Sequence, residues 1–525
     1  MKRMKGRVKM KKSRVIASAL VAAMASLAVS GCGKQAEEAN AITVDVKKTG
    51  YPVVDEPIHI KAIGFGKPGN GEWNDYPIFQ DISRQTNVFV DYQTISGDGA
   101  DEKLNLALAS KNLPDAVFSG LSSQKILSYA EKGIIRPLED LMEDYAPNIK
   151  RVLDENPEIR KAITFPDGHI YAIPSINEDQ KPVQSTTLNI NKTWLDQLGL
   201  EIPKTTAEFE EVLRAFKTMA PDGDGKNNVI PFTYEPKTPY NIWNGDAGFS
   251  GSFGITDSSS YLMRSEDEFL FTPIQEGYKD YIKWTARLYE EGLIDVELFT
   301  QDHNQYMSKI GSNRVGVYLT NGPLETDGAE YIAIEPLKGP NGDQFWGSLD
   351  FSIDKNRGVI TTSNPYPEAT MRYMDSFFET ENSLRLRFGN YLKSAGDQYE
   401  LMPSIPGKNS EAPESYVATN LSSEIMDTYI IETKSIKEKK ERIELYSKYL
   451  APPVPLINLT IEESKQISSL FVDIQKIVDE NKARWTTNQS DIDKDWDGYL
   501  ESLNNVGLDK YMEIYNAALA RYLSN

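Results

Sequence analysis

Near-alternating apolar and polar positions over 57–65, "PIHIKAIGF", predict a strand, and the amphipathic stretch 76–87 after it predicts a helix. Alternation returns over 87–95. A helical period then sets Leu104 and Leu108 on one face of 100–112, and a short apolar strand follows at 115–120. A third helix, 123–133, stops at Gly133. Strands and helices that alternate in this way predict a parallel sheet covered on both faces. Ligands of such sheets gather beyond the carboxyl ends of the strands, here the loops 66–75, 96–100 and 119–123. A second α/β stretch starts near Ser185, with one helix carrying Trp194, Leu195 and Leu198 and another capped at Thr205 or Thr206. A long helix over 276–294 and strands over 313–319 and 357–362 follow. The last 150 residues read as mainly helical, and Trp496, Tyr499, Leu500 and Leu503 share one helix face.

The beginning of the chain has a different pattern. Eight of the first fourteen residues are Lys or Arg, and fifteen almost wholly apolar residues, Val15–Val29, come next. That run is shorter than the roughly 20 residues of a spanning helix and suits the apolar region of a secretory signal. It ends in Val29-Ser30-Gly31-Cys32, the only cysteine of the chain. The segment resembles the lipobox of bacterial lipoprotein precursors. In them the cysteine sulfur receives a diacylglyceryl group, the peptide is cut before the cysteine, and the new amino group is usually acylated. The expectation is a signal peptide at 1–31, a lipidated Cys32 moored at the extracellular face of the cell membrane, and a flexible tether at 32–56. With that thiol lipidated, no disulfide is available to the fold.

Charge narrows the choice of partners. The chain has 57 basic and 77 acidic residues, and removal of the eight N-terminal cations leaves a net charge near −28. A surface so acidic excludes nucleic acid as a partner. The 40% hydrophobic and 10% aromatic content is ample for a core, and about 470 residues divide more naturally into two lobes than one.

Catalytic signatures are thin. His59, His169 and His303 are scattered, no GxSxG or P-loop occurs, and no carboxylate pair stands out among the 77 acidic residues. The string Gly64-Phe65-Gly66-Lys67-Pro68-Gly69 spells GxGxxG, but Pro68 and "GNGEWND" continue as a loop where a dinucleotide site needs a helix start. These glycines are expected to line a cleft. The segment 221–231, "PDGDGKNNVIP", sets Asp222, Asp224, the Lys226 carbonyl and Asn228 at alternate positions, as a calcium loop does. Ala220 and Pro231 occupy the two outer ligand positions, so a plain Asp/Gly turn competes with the metal reading. Aromatic residues in polar company give a further signal. Trp73, Trp243 and Trp346 lie in "GNGEWND", "NIWNGDAGF" and "DQFWGSLDF". Sugar C–H faces stack on such rings while amides and carboxylates take the hydroxyls; a core or lobe-interface role is the alternative for each. The expected ligand contacts are Trp73, Asn74, Asp75, Ser119, Trp243, Asn244 and Trp346.

Several segments together resemble the extracellular solute-binding proteins, family 1, of ABC importers, in the lipoprotein branch of Gram-positive oligosaccharide receptors. They are 102–118 "EKLNLALASKNLPDAVF", 133–141 "GIIRPLEDL", 165–174 "FPDGHIYAIP", 193–217, 292–302 "GLIDVELFTQD" and 496–522. The resemblance implies a two-lobe, type II-like periplasmic-binding-protein fold with a cleft between α/β lobes and a helical C-terminal part. It places lobe 1 at 57–180 plus 309–365 and lobe 2 at 181–308 plus 366–525. The family often carries a calcium loop where 220–231 lies. The function implied is capture of a carbohydrate, an oligosaccharide above all, and its delivery to ABC permease subunits, by a monomer without catalysis. A surface glycoside hydrolase and a receptor feeding a sensor kinase are the alternatives.

Overall fold

The computed structural model describes residues 44–177, 183–219, 228–235, 248–349, 352–403 and 408–524. In chain order the first strands are β1 (Ile58–Gly66), β2 (Val88–Ser96), β3 (Ala116–Phe118) and β4 (Ile173–Ile176). Then come β5 (Val183–Gln184), β6 (Thr187–Asn191), β7 (Ile230–Thr233), β8 (Leu262–Ser265) and β9 (Glu268–Phe271). The next four are β10 (Val315–Thr320), β11 (Tyr331–Ile334), β12 (Ser348–Leu349) and β13 (Ile353–Ile360). A hairpin, Leu392–Ala395 with Gln398–Leu401, is the last sheet structure before the C-terminal helices.

Two larger sheets define two lobes. The first has the order β2-β1-β3-β13-β4, with β1 parallel to β2 and β3 as the sequence pattern predicts. The second has the order β11-β6-β10-β7. Helices cover both faces of the first sheet: Phe79, Ile82, Met371 and Phe377 fill one core, and Leu104, Leu108, Ile126 and Leu127 another. The second sheet shares a single large core with Trp194, Trp284, Trp485 and the C-terminal helices Ile461–Thr486, Ile492–Asn505 and Leu508–Ser524.

The expected lobe boundaries need revision. The segment 309–365 is divided between lobes: β10 and β11 pair antiparallel with β6 in the second sheet, and only β13 returns to the first. The segment after 366 begins in the first lobe, where Ala369, Tyr373 and Phe377 belong to the same core as β1 and β2. The later part of the segment expected to be a tether, from Val44, packs on the first lobe. Val53 and Val54 are fully buried in the first lobe, and Arg372 donates to the carbonyls of Lys47 (3.1 Å) and Gly50 (3.0 Å). Two adjacent valines and Tyr51 give this polar stretch enough apolar surface to dock.

The lobes are joined where β5 pairs antiparallel with β12, with Trp346 bridging to Leu450 beside them. The segment 450–460, which leaves the second lobe and returns to it, lies against β12 through a hydrogen bond from Ser348 Oγ to the Ala451 carbonyl (2.5 Å).

Candidate ligand site at the hinge

Where the crossing segments meet both lobes, a cavity of about 430 Å3 opens. The second lobe supplies Asp257, Ser258 and the β8 residues Leu262 and Met263; β12 supplies Ser348 and Leu349; the segment 450–460 supplies Pro452, Pro453, Val454 and Leu456. The first lobe supplies the start of β13, Ile353 to Asn356. Apolar walls carrying a few hydroxyls, amides and carboxylates are the usual make-up of a small-molecule site.

The start of β13 is held with unusual firmness. Its pairing with β4 slips: Asp354 faces Ser175 but Gly358 faces Ile173, so four steps along β13 match two along β4. Irregularities of this type re-aim side chains that strict alternation would send to opposite faces. Here the slip lets Arg357 Nη2 reach the carboxylate of Asp354. Arg357 Nη1 donates to Ser119 Oγ at 2.8 Å, and Ser119 Oγ donates to the Tyr416 carbonyl at 2.7 Å. Burial holds the Arg357 guanidinium below its ordinary range, with Asp354 acting the other way. Asn356 pairs with Ser123 at the start of the helix Ser123–Glu131, at 3.0 Å.

Lys355 serves the segment 450–460. Its Nζ donates to the carbonyls of Leu456 and Ile457 (both 3.2 Å) and to Asn458 Oδ1 (2.6 Å). The Asn458 amide in turn donates to the carbonyls of Ala162 (3.0 Å) and Thr164 (2.8 Å) in the first lobe. Burial pushes the Lys355 ammonium down to about 8, Asp354 opposing. Between that value and the usual 10.5 the unfolded chain binds a proton that the folded chain does not. This group therefore makes stability rise with pH from about 8 to 10.5, by at most about 1.4 kcal/mol per unit. Urea unfolding at pH 8 and pH 10 is expected to show a smaller rise with pH in Lys355→Met than in the unmodified protein; equal slopes would refute it.

Of the expected contacts among the described residues, the hinge takes up only Ser119, and indirectly. Ser119 is 2% exposed, lies in the left-handed region at φ 62° and meets Arg357, not the cavity. Trp73 is a core residue, 1% exposed, stacked on Phe79 (5.2 Å) and tilted against Tyr92 (5.3 Å). Its indole fills the space over Gly64, where a Cβ would come within 2.5 Å of the ring, so this glycine makes room for a tryptophan rather than lining a cleft. Asn74 is exposed but spends its amide on the backbone of Tyr92 in β2, donating to the carbonyl (2.9 Å) and accepting from the N–H (2.8 Å). Asp75 is exposed in the same short turn. Trp346, 1% exposed, lies beneath the hinge and donates from Nε1 to the Thr186 carbonyl (2.7 Å). Trp243, Asn244, Asp222, Asp224, Lys226 and Cys32 lie outside the described residues; Asn228, half-buried, precedes β7. Among the described residues no three His, Cys, Asp or Glu side chains cluster as a metal site would need. Sequence reasoning missed Asp354, Lys355 and Arg357, although "SIDKNRGV" signals them by massing charge at the start of a strand.

A two-lobe α/β frame with an apolar-walled cavity carrying a few polar groups at its crossings has the make-up of a ligand-binding architecture. The chain belongs to the bacterial extracellular solute-binding protein family, whose model matches residues 70–371. It is 32% identical over 487 residues to the fructooligosaccharide ABC transporter substrate-binding protein FusA of Streptococcus pneumoniae, an alignment covering 86% of this chain and 88% of FusA. The structure of FusA with kestose superposes with a TM-score of 0.74 at 29% identity, over 89% of this chain and all of that one. A FusA EF-hand mutant in complex with fructo-nystose gives a TM-score of 0.73 at 28% identity, with the same shares covered.

Proposed function

We propose that this chain is the lipid-anchored substrate-binding protein of an ABC importer, which captures a carbohydrate, an oligosaccharide above all, by closing its lobes and presents it to the permease subunits. The observation that carries this reading is the hinge cavity, with walls drawn from both lobes, from β12 and from the segment 450–460. A ligand touching both lobes binds the closed arrangement more tightly than the open one, and closure follows from that difference in affinity. Family membership and the name of FusA support both the ligand class and the importer. In this reading lobe 1 comprises 44–177 and 352–430, and lobe 2 comprises 187–349, 434–450 and 459–524. The lipobox-like segment ending in Cys32 supports an anchor at the outer face of the membrane. Because residues from Val44 dock on the first lobe, the anchor would moor that lobe and leave the second to swing.

The EF-hand in a relative's name draws attention to the loop 220–231. Its donor set lacks a carboxylate at both outer positions, Ala220 and Pro231, so the residues do not complete such a site and no step depends on calcium.

Thermal unfolding in rising concentrations of kestose and other neutral tri- and tetrasaccharides tests the reading. A melting temperature that climbs with the logarithm of ligand concentration is expected, with about 2.7 kcal/mol of stabilisation at a hundredfold excess over Kd. The sugars should be recovered intact. No shift with any of them, or their cleavage, would refute it.

A further inference from the structure

The hinge cavity is bordered by an ion pair that the capture of a ligand does not by itself require. Asp354 lines the cavity, and its side chain retains 40% of its exposure. Arg357, 19% exposed, grips Asp354 from behind. Arg357 is itself fixed by Ser119 Oγ (2.8 Å), which is fixed by the Tyr416 carbonyl (2.7 Å). The relay thus runs from the 409–421 segment, through the end of β3, to β13, and terminates in a carboxylate facing the cavity. The Nε of Arg357 is buried without a partner, a cost tolerated where the remaining donors are committed to geometry. The slip between Asp354 and Gly358 is what brings the two charges to one side.

Charge around the cavity points to the kind of ligand. Among the described lining residues the charged groups are Asp257, Asp354 and Lys355. The Lys355 ammonium is spent on three acceptors of the segment 450–460, and Arg357 is spent on Asp354 and Ser119. Among the described residues the cavity therefore offers acceptors for hydroxyl hydrogens and no uncommitted cation for a carboxylate.

We propose that Asp354 is a ligand-binding carboxylate that accepts from sugar hydroxyls, that Arg357 is its positioning residue, and that together they select uncharged oligosaccharides over uronate-bearing ones. The inference rests on the carbohydrate-capture reading above. An ionised acceptor held in place loses nothing to reorientation when a hydroxyl arrives, and hydrogen bonds to charged groups are the stronger class. A uronate brought to the same place sets its own carboxylate against that of Asp354.

Isothermal titration of the mature protein with the neutral panel above and with trigalacturonate, on unmodified protein, Asp354→Asn, Arg357→Met and Arg357→Lys, tests it. The unmodified protein should bind a neutral sugar at least tenfold more tightly than trigalacturonate. Asp354→Asn should weaken the neutral ligand about tenfold or more and narrow the preference against trigalacturonate. Arg357→Met should weaken the neutral ligand similarly, with Arg357→Lys recovering part of the loss. The preference ratio is the reading that a merely structural role would not move, and melting temperatures without sugar identify any variant weakened by unfolding. Tight neutral-sugar binding with both Asp354→Asn and Arg357→Met unchanged in affinity and preference overturns the inference and leaves the capture reading intact. Preference for trigalacturonate by the unmodified protein also overturns it. Failure of the unmodified protein to bind any sugar refutes the capture reading and the inference with it.

Discussion

Asp375→Ala is expected to lower the unfolding free energy by about 3–5 kcal/mol, the cost of orphaning a buried charge. Asp375 is fully buried and Arg372 is 2% exposed. The carboxylate accepts from the backbone N–H groups of Asn148 and Ile149 (both 2.9 Å), from the Asn148 amide (3.0 Å) and from Arg372 Nη1 (3.0 Å). Burial pushes its carboxyl up to about 6, and the donors around it oppose that rise, so at neutral pH it is ionised. Truncation would strand a guanidinium in the core and free two N–H groups at the start of the helix Pro147–Glu155. The same guanidinium holds the Lys47 and Gly50 carbonyls and lies 5.5 Å over the Tyr51 ring, and the Tyr51 hydroxyl donates to Glu379 (2.5 Å). Residues 44–54 are therefore expected to lose amide-exchange protection together with global stability. Urea unfolding gives the first quantity and hydrogen exchange the second. A loss below about 1 kcal/mol, or unchanged exchange in that strap, would contradict the assignment.

The parallel part of the first sheet was legible because its information is local. β1, β2 and β3 are each marked by their own alternation and separated by helices with their own period, and a βαβ succession leaves few ways to pair them. β10 shows the limit. Its apolar run marks a strand, but nothing within "NRVGVYL" says that Val317 faces Ile190 of β6 and not a strand of the first sheet. Choice of partner is a long-range property, decided by which surface the adjoining helices leave open. The same limit explains the tryptophans. Gly, Asn and Asp around Trp73 are consistent with a ligand loop, yet they only turn the chain so that the indole folds back over Gly64. The pairing of Asp354 with Arg357 depends on a register slip against β4, which no pattern within β13 encodes.

Trp346 puts that distinction to measurement, since its sequence context suited a sugar platform and its surroundings are those of a core. Trp346→Ala is expected to cost about 3–5 kcal/mol of stability, as large aromatic truncations in cores do. The ring meets Tyr446 edge-on at 5.1 Å and Phe249 at 6.4 Å, and the chain at Gly248 passes so close that a Cβ there would lie 2.2 Å from the indole. Its Nε1 donor would leave the Thr186 carbonyl unpaired at the point where the β5 crossing enters β6. The backbone of Trp346, by contrast, keeps its hydrogen bonds with Tyr449 (2.8 Å) and Ala451 (3.0 Å) whatever the side chain. The crossing itself should therefore survive, and the protein that remains folded should still close on its ligand. Trp346→Phe, which restores most of the ring but not the donor, should recover more than half of the lost stability. A stacking tryptophan would give the reverse pattern, with unfolding within about 1 kcal/mol of the unmodified protein and affinity for the sugar collapsing. Urea unfolding without ligand and titration calorimetry at a temperature where the variant is folded separate the two outcomes, and the second would return Trp346 to the ligand site.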